Sequence, residues 1–491
     1  MKLSALANLA LLLVFASAPA RAQTDQPDAD AMRAGVMELL SMVTLGAIST
    51  QDQAVEVTRS AADYHVRIPL KGLAAPVDAA LEAVVRPLGG GVWYVSSMTF
   101  PAAGTIDPSA PAGGISRMEY SIGEQSIHAQ VDPGFGHQST AAADFGMLRL
   151  SLDQGEVHSE QEIARYVVDT TVSAETAGRI DFASHAKATD WHFSAHAPNG
   201  INTDSVARGL SAHVSAEGLD RAQATRLLAA MRAFLAAARP ATTQASATPP
   251  AAPPQPRTIS PAERQTLRAM ADAVPGLLTR FNMEESVDGI RFNAGSANTG
   301  TIEHVRIAIA GESAGDRLSA HMDIGLDELA MPNLPADTAA YLPHHIEVRS
   351  VLAGLPTGAL TTLLHAAAEP DTDRDAVRGQ MTALLAAPDA RIGIQSFSFD
   401  SGPMRITGSV RFVGRADGET GTDIHVSATG METFMAAAQG DPTLQKALPA
   451  MFMAKGMGRP DGGAIAWDIA LGGGPMTVNG MPFGQPPGKT R

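Results

Sequence analysis

The chain has 491 residues, of which 45% are hydrophobic and 18% charged, with 46 Gly, 32 Pro and no Cys. That length accommodates two or more domains, and the apolar fraction is ordinary for a globular protein, so wholesale disorder and a collagen-like fibre are excluded. A formal charge of −15 argues against nonspecific binding to nucleic acid or anionic bilayers, and zero Cys removes disulfides, thiolate metal sites and a cysteine nucleophile.

The N-terminus follows the secretory pattern. Lys2 supplies a small positive region, Leu9 to Phe15 an apolar run, and Ala20-Arg21-Ala22 an A-x-A-like site, which predicts a signal peptide over 1–22 with cleavage after Ala22. The apolar run is shorter than the roughly 18–20 residues that span a bilayer, and no later stretch is long and apolar enough to do so. A soluble exported protein of the periplasm follows, with no membrane span after cleavage. Residues 239–259, rich in Pro, Ala and Thr, lack apolar periodicity and read as a linker between an N-terminal lobe (23–238) and a C-terminal lobe (260–491). Each lobe opens with a helical segment, Ala31 to Ser41 in the first and Pro261 to Phe281 in the second. Ser260 stands at the N-cap of the latter, with Glu263 at the capping-box position.

Most of the remaining chain alternates with period two. Tyr64, Val66, Ile68 and Leu70 share a face, as do Trp191, Phe193 and Ala195, and as do Val305, Ile307 and Ile309. These are half-buried strands of antiparallel sheet. Four times an alternating strand runs into Gly followed by an apolar residue and then into an Ala-rich segment: at Gly72-Leu73, Gly218-Leu219, Gly354-Leu355 and Gly430-Met431. The physical expectation is a structural turn, with Gly permitting a tight exit and the next residue packing beneath a following helix. The predicted fold class is α+β, with two similar lobes of long, curved antiparallel β-sheet, each packed by Ala-rich helices.

Several patterns resemble chemistry. Gly311-Glu312-Ser313-Ala314-Gly315 matches the G-x-S-x-G of serine hydrolases, but the residues after it alternate as a strand where the mechanism needs a helix, so a hairpin turn is expected. His192 and His196 share the polar face of a strand, and His344-His345 mark a strand entry without further ligands nearby. Asp371, Asp373 and Asp375 begin like a calcium loop, but Ala376 and Thr382 stand where Gly and a bidentate Glu are needed. Met451, Met453 and Met457 could offer thioethers to copper, although helical spacing with Leu444 and Leu448 favours core packing. No catalytic, cofactor or metal residue is assigned.

The strand, Gly-Leu, Ala-rich unit, together with a closing Ile465 to Ile469 strand and Met476 to Gly480 with its Asn-Gly turn, resembles exported proteobacterial proteins of unknown function related to the YdgA and AsmA-like groups. The resemblance implies an envelope-associated role and carries no functional residues across. The expected function is a non-enzymatic periplasmic envelope protein that binds lipid or an extended envelope polypeptide along amphipathic sheets. The alternatives are a structural scaffold for another envelope protein and a serine hydrolase using Ser313.

Overall fold

The computed structural model describes residues 28–43, 55–69, 79–89, 92–106, 115–132, 137–173, 176–197, 202–238, 260–294, 299–367, 379–380, 382, 384–385, 389–414, 420–440, 444–472 and 474–483. The expected signal peptide, Gly72-Leu73, the 239–259 linker and Asp371 to Asp375 lie outside the described residues.

The architecture is predominantly antiparallel β-sheet with few helices. The strands are β1 (Glu56–Ser60), β2 (Asp63–Pro69), β3 (Ala80–Gly89), β4 (Val92–Thr99), β5 (Ala103–Ile106), β6 (Ile115–Ile122), β7 (Gln125–Asp132), β8 (His137–Gln154), β9 (Val157–Val172), β10 (Arg179–His196) and β11 (Asn202–Asp220). There follow β12 (Arg280–Ala294), β13 (Thr299–Ala314), β14 (Arg317–Ala330), β15 (His345–Pro356), β16 (Arg391–Asp400), β17 (Arg405–Gly414), β18 (Thr420–Thr429), β19 (Arg459–Asp461), β20 (Ala464–Leu471), β21 (Thr477–Val478) and β22 (Met481–Pro482). Two compact units divide the described residues: one draws on Met1–Asn202, Ser211–Thr279 and Leu364–Pro370, the other on Thr203–Leu210, Arg280–Leu363 and Asp371–Arg491.

In the first unit, β1 to β4 pair in sequence, β4 joins β7, and β7, β8, β9 and β10 continue the ladder. β8 is long enough to serve two partners on one edge: β7 pairs with His137 to Phe145, and β6 with Leu148 to Gln154. The helix Ala29–Val43 presents Met32 and Val36, one turn apart, to Tyr64, Trp93 and Val95, and this buried cluster is the main core of the unit. The helix Pro261–Ala273 packs on the helix Arg221–Ala238 within this unit. The Ser260 N–H donates to Glu263 Oε2 at 2.7 Å, and the Glu263 N–H donates to Ser260 Oγ at 3.2 Å, leaving Glu263 only 3% exposed.

Two expectations need correction. Within the Ala-rich segment expected as a helix after Gly72, the described residues 80–89 form β3 instead, paired with β2 so that Tyr64 faces Val85. Helical propensity is a weak prior, and here the inward alternation of Leu81, Ala83 and Val85 against an available β2 edge outweighs it. The helix expected over Pro261 to Phe281 ends at Ala273, since Phe281 already alternates with Met283 in β12 opposite β13.

The other three Gly-apolar pairs sit between a strand and a helix. Gly218 (φ +61°) lies near the end of β11 before the helix Arg221–Ala238, and Gly354 (φ +68°) lies near the end of β15 before the helix Thr357–Ala367. Gly430 (φ +75°) links β18 to the helix Met431–Gly440. Leu219, Leu355 and Met431 are all buried. The left-handed backbone explains the glycine, and burial explains its apolar neighbour.

Candidate functional site

Antiparallel partners place their side chains on the same side of a sheet, so apolar residues line up in rows across the strands. In the second unit the ladder runs from β12 through β18 to β20. One row reads Val287, Val305, Leu326, Ile346, Phe399 and Ile406 across β12 to β17, and another reads Met283, Ile309, Met322, Ser350, Ile394 and Val410. The first continues through Ala428 and Ile465, the second through Ile424 and Ile469. Eight strands at about 4.8 Å spacing give each row a reach of roughly 34 Å.

These rows are not a buried core. Met322 in the second row is 36% exposed, the other side chains of the rows from β12 to β17 are half-buried, and on the same face between and beyond the rows Ile324 is 37% and Phe412 44% exposed. Covered apolar clusters occur toward the margins: one beneath the helices Met431–Gly440 and Leu448–Met457, around Trp467, Val478 and Ala428, and one around Leu355, Leu384 and Ala390. Along the face two rings lie down over glycines of the next strand. A Cβ on Gly408 would stand 2.5 Å from the Phe397 ring, and one on Gly300 2.5 Å from the Phe292 ring. Glycine there lets the ring rest on the backbone instead of standing off it.

The opposite face is laced by cross-strand ion pairs. Arg306 Nε donates to Glu284 at 2.8 Å, which holds the guanidinium pKa above its ordinary value. Arg349 reaches Asp323 at 3.1 Å and Glu347 at 3.0 Å. His304 contacts Asp288 at 2.7 Å, His345 contacts Asp327 at 2.6 Å, and His425 contacts Asp468 at 2.7 Å. The sheet therefore has one hydrated, charge-paired side and one uncovered apolar side.

The first unit carries a related face on β8, β9 and β10. Its apolar positions change phase at a single row: spacing goes from two to three between Phe145 and Leu148, between Ile163 and Tyr166, and between Ala188 and Trp191. Met147 (φ +45°) and Asp190 (φ +51°) take left-handed backbone there, both opposite the middle strand at Ala164. In the second unit, Gly289 (φ +60°) and Glu328 (φ +54°) flank Glu303 of β13 in the same way. One left-handed residue turns the following side chains to the other phase, which keeps the long strands apolar on one side beyond the break.

The first unit's face is more deeply covered on the Tyr166 side of this break. Tyr166, Val168, Ala186 and Ala188 are buried, and Thr170 and Ser184 share a buried hydroxyl hydrogen bond of 2.9 Å. Beyond it Ile163 is still buried, while Leu148, Leu150, Trp191 and Phe193 are half-exposed. Tyr166, 8% exposed, stacks on Phe145 at 6.4 Å, and Trp191 stacks on Phe193 at 6.3 Å. The Tyr166 hydroxyl and the Trp191 Nε1–H are both shielded from solvent and without a hydrogen-bond partner. Burial pushes the Tyr166 phenol pKa up to about 12.

Of the motifs singled out in sequence, Ser313 lies in β13 opposite Leu318, two residues before a hairpin turn at Gly315 (φ +64°) and Asp316, with β14 following. The setting is strand, hairpin, strand. His192 and His196 lie opposite Glu162 and His158 on the exposed side of β10, and His344 contacts Glu328 at 3.0 Å. Met451 and Met457 pack against the cluster around Trp467, whereas Met453 is 56% exposed. Among the described residues no three His, Asp or Glu side chains gather as metal ligands, and no helix is long and apolar enough to cross a membrane. Sequence reasoning missed the orphan pair Tyr166 and Trp191. Its trace in the sequence is the spacing of three interrupting an otherwise period-two pattern. Comparison with family models, curated proteins and solved structures finds no match for this chain.

Proposed function

We propose that the chain is an exported, non-enzymatic envelope protein of two like-built α+β halves that holds the acyl chains of lipids against its uncovered apolar sheet faces. The observation that carries this reading is the set of apolar rows across β12 to β20, half-exposed on one side and backed by ion pairs on the other. An acyl chain suits such a face better than an extended polypeptide. The row positions offer few hydrogen-bonding groups, and a peptide laid across them would leave its own N–H and C=O groups unpaired, whereas a hydrocarbon has none to satisfy.

The test is native mass spectrometry of the exported protein, purified without detergent. Lipid-mass adducts that disappear on denaturation are expected, with several-fold lower occupancy in a Met322→Glu, Ile324→Glu double variant. Adduct-free protein that also refuses a fluorescent fatty acid would end the reading, and peptide adducts would replace the acyl chain by a polypeptide.

A further inference from the structure

We infer that Tyr166 and Trp191 form an anchor for the polar end of the bound molecule, and that this end is a neutral acceptor, the ester or amide carbonyl of an acyl lipid. The inference rests on the acyl-chain reading above and deepens it. Buried donors without partners are rare in folded proteins, and each calls for an explanation. Here two occur on adjacent strands of one face, on either side of the row where its alternation changes phase. An indole N–H can only donate, and a protonated phenol donates most readily, so what satisfies both must present acceptor oxygens.

The charge of that group follows from its surroundings. No Lys, Arg or His occupies an apolar-phase position of β8, β9 or β10 around the break; the neighbours are Phe145, Leu148, Ile163, Ala188 and Phe193, with the uncharged Gln161 opposite Phe193. A carboxylate placed there would be a buried anion without a cation, which is strongly unfavourable, whereas a carbonyl needs only the two donors. The stacked rings of Phe145 with Tyr166 and of Trp191 with Phe193 supply flat apolar walls for the first carbons of the chain.

Equilibrium dialysis of radiolabelled methyl palmitate, palmitate and hexadecane against the full-length wild type, Tyr166→Phe and Trp191→Phe tests this. The wild type should bind the ester about tenfold more tightly than hexadecane, the equivalent of one well-formed hydrogen bond. Tyr166→Phe should erase most of that advantage of ester over hexadecane. Its melting temperature should be no lower than that of the wild type, since the lost hydroxyl had no partner; a lower value would mean that the hydroxyl is structural. Equal binding of ester and hexadecane by the wild type overturns the anchor and leaves the acyl-chain reading standing. Palmitate binding more tightly than its ester overturns the neutral-acceptor assignment. Binding of none of the three defeats the acyl-chain reading itself.

Discussion

Gly354 and Gly430 turn the chain where a side chain has no room: a Cβ would stand 2.2 Å from the Asp389 carbonyl oxygen and 1.8 Å from that of Pro403. Alanine at either position combines left-handed strain with a displaced carbonyl and should remove about 2–4 kcal/mol of stability, measured by urea unfolding. Gly276, also left-handed (φ +73°) but with open space around it, is the control, and Gly276→Ala should cost only about 1 kcal/mol. Equal losses at all three would show that crowding contributes nothing. Tyr166 gives a second prediction. Folding raises its pKa from the ordinary 10.0 to about 12, so the stability tied to the neutral phenol is intact below pH 10 and is lost as pH rises through 12. The loss amounts to roughly 2–3 kcal/mol. Ultraviolet titration of the five tyrosines should show a late-ionising fraction that is diminished in Tyr166→Phe. The Gly-apolar pairs were visible as letters because the constraint is local. The orphan hydroxyl was not, because a missing partner is a property of the whole neighbourhood.

Strands and their faces respond differently to substitution according to what covers them. Trp467 is 8% exposed and its Nε1–H donates to the Ala454 carbonyl at 2.7 Å, so Trp467→Ala should destabilise by about 3–5 kcal/mol. Ile324 has equally apolar row neighbours but stands 37% exposed, and Ile324→Thr should cost about 1 kcal/mol or less, because threonine keeps the β-branch and little burial is lost. Thermal melts of the two variants check the contrast, and a loss at Ile324 as large as at Trp467 would mean that the face is covered. On the other side, Arg306→Ala should change stability by less than about 1 kcal/mol, since its pair with Glu284 is solvent-exposed. The C-terminal closure is held more firmly. Asn479 accepts from the Asp468 N–H at 2.8 Å and donates to the Met457 carbonyl at 2.8 Å, and Asn479→Ala should cost about 1–3 kcal/mol by leaving both groups unpaired. Alternation in the sequence identified these strands, yet β3 was read as a helix because its alanines argue for one locally while its partner strand lies elsewhere.

Under the proposed acyl-chain function, the chain's formal charge of −15 sets how it would meet a lipid source. Pick-up of a fluorescent acyl lipid from vesicles rich in an anionic phospholipid should be slower than from zwitterionic vesicles at low ionic strength. The gap should close above about 0.1 M salt, where the screening length falls to about 10 Å. Stopped-flow transfer at two salt concentrations measures it, and a faster rate from anionic vesicles would point to a local basic patch dominating the encounter. The period-two faces, the capping box at Ser260 and Glu263, and the Gly-apolar exits at 218, 354 and 430 were determined by the sequence alone, since each depends on residues a few positions apart. Only the tertiary structure decided that residues 80–89 extend a sheet, that the helix Pro261–Ala273 packs on Arg221–Ala238, and which apolar rows are left uncovered. Burial and hydrogen-bond satisfaction are set by neighbours distant along the chain, and no local pattern records which neighbours arrive.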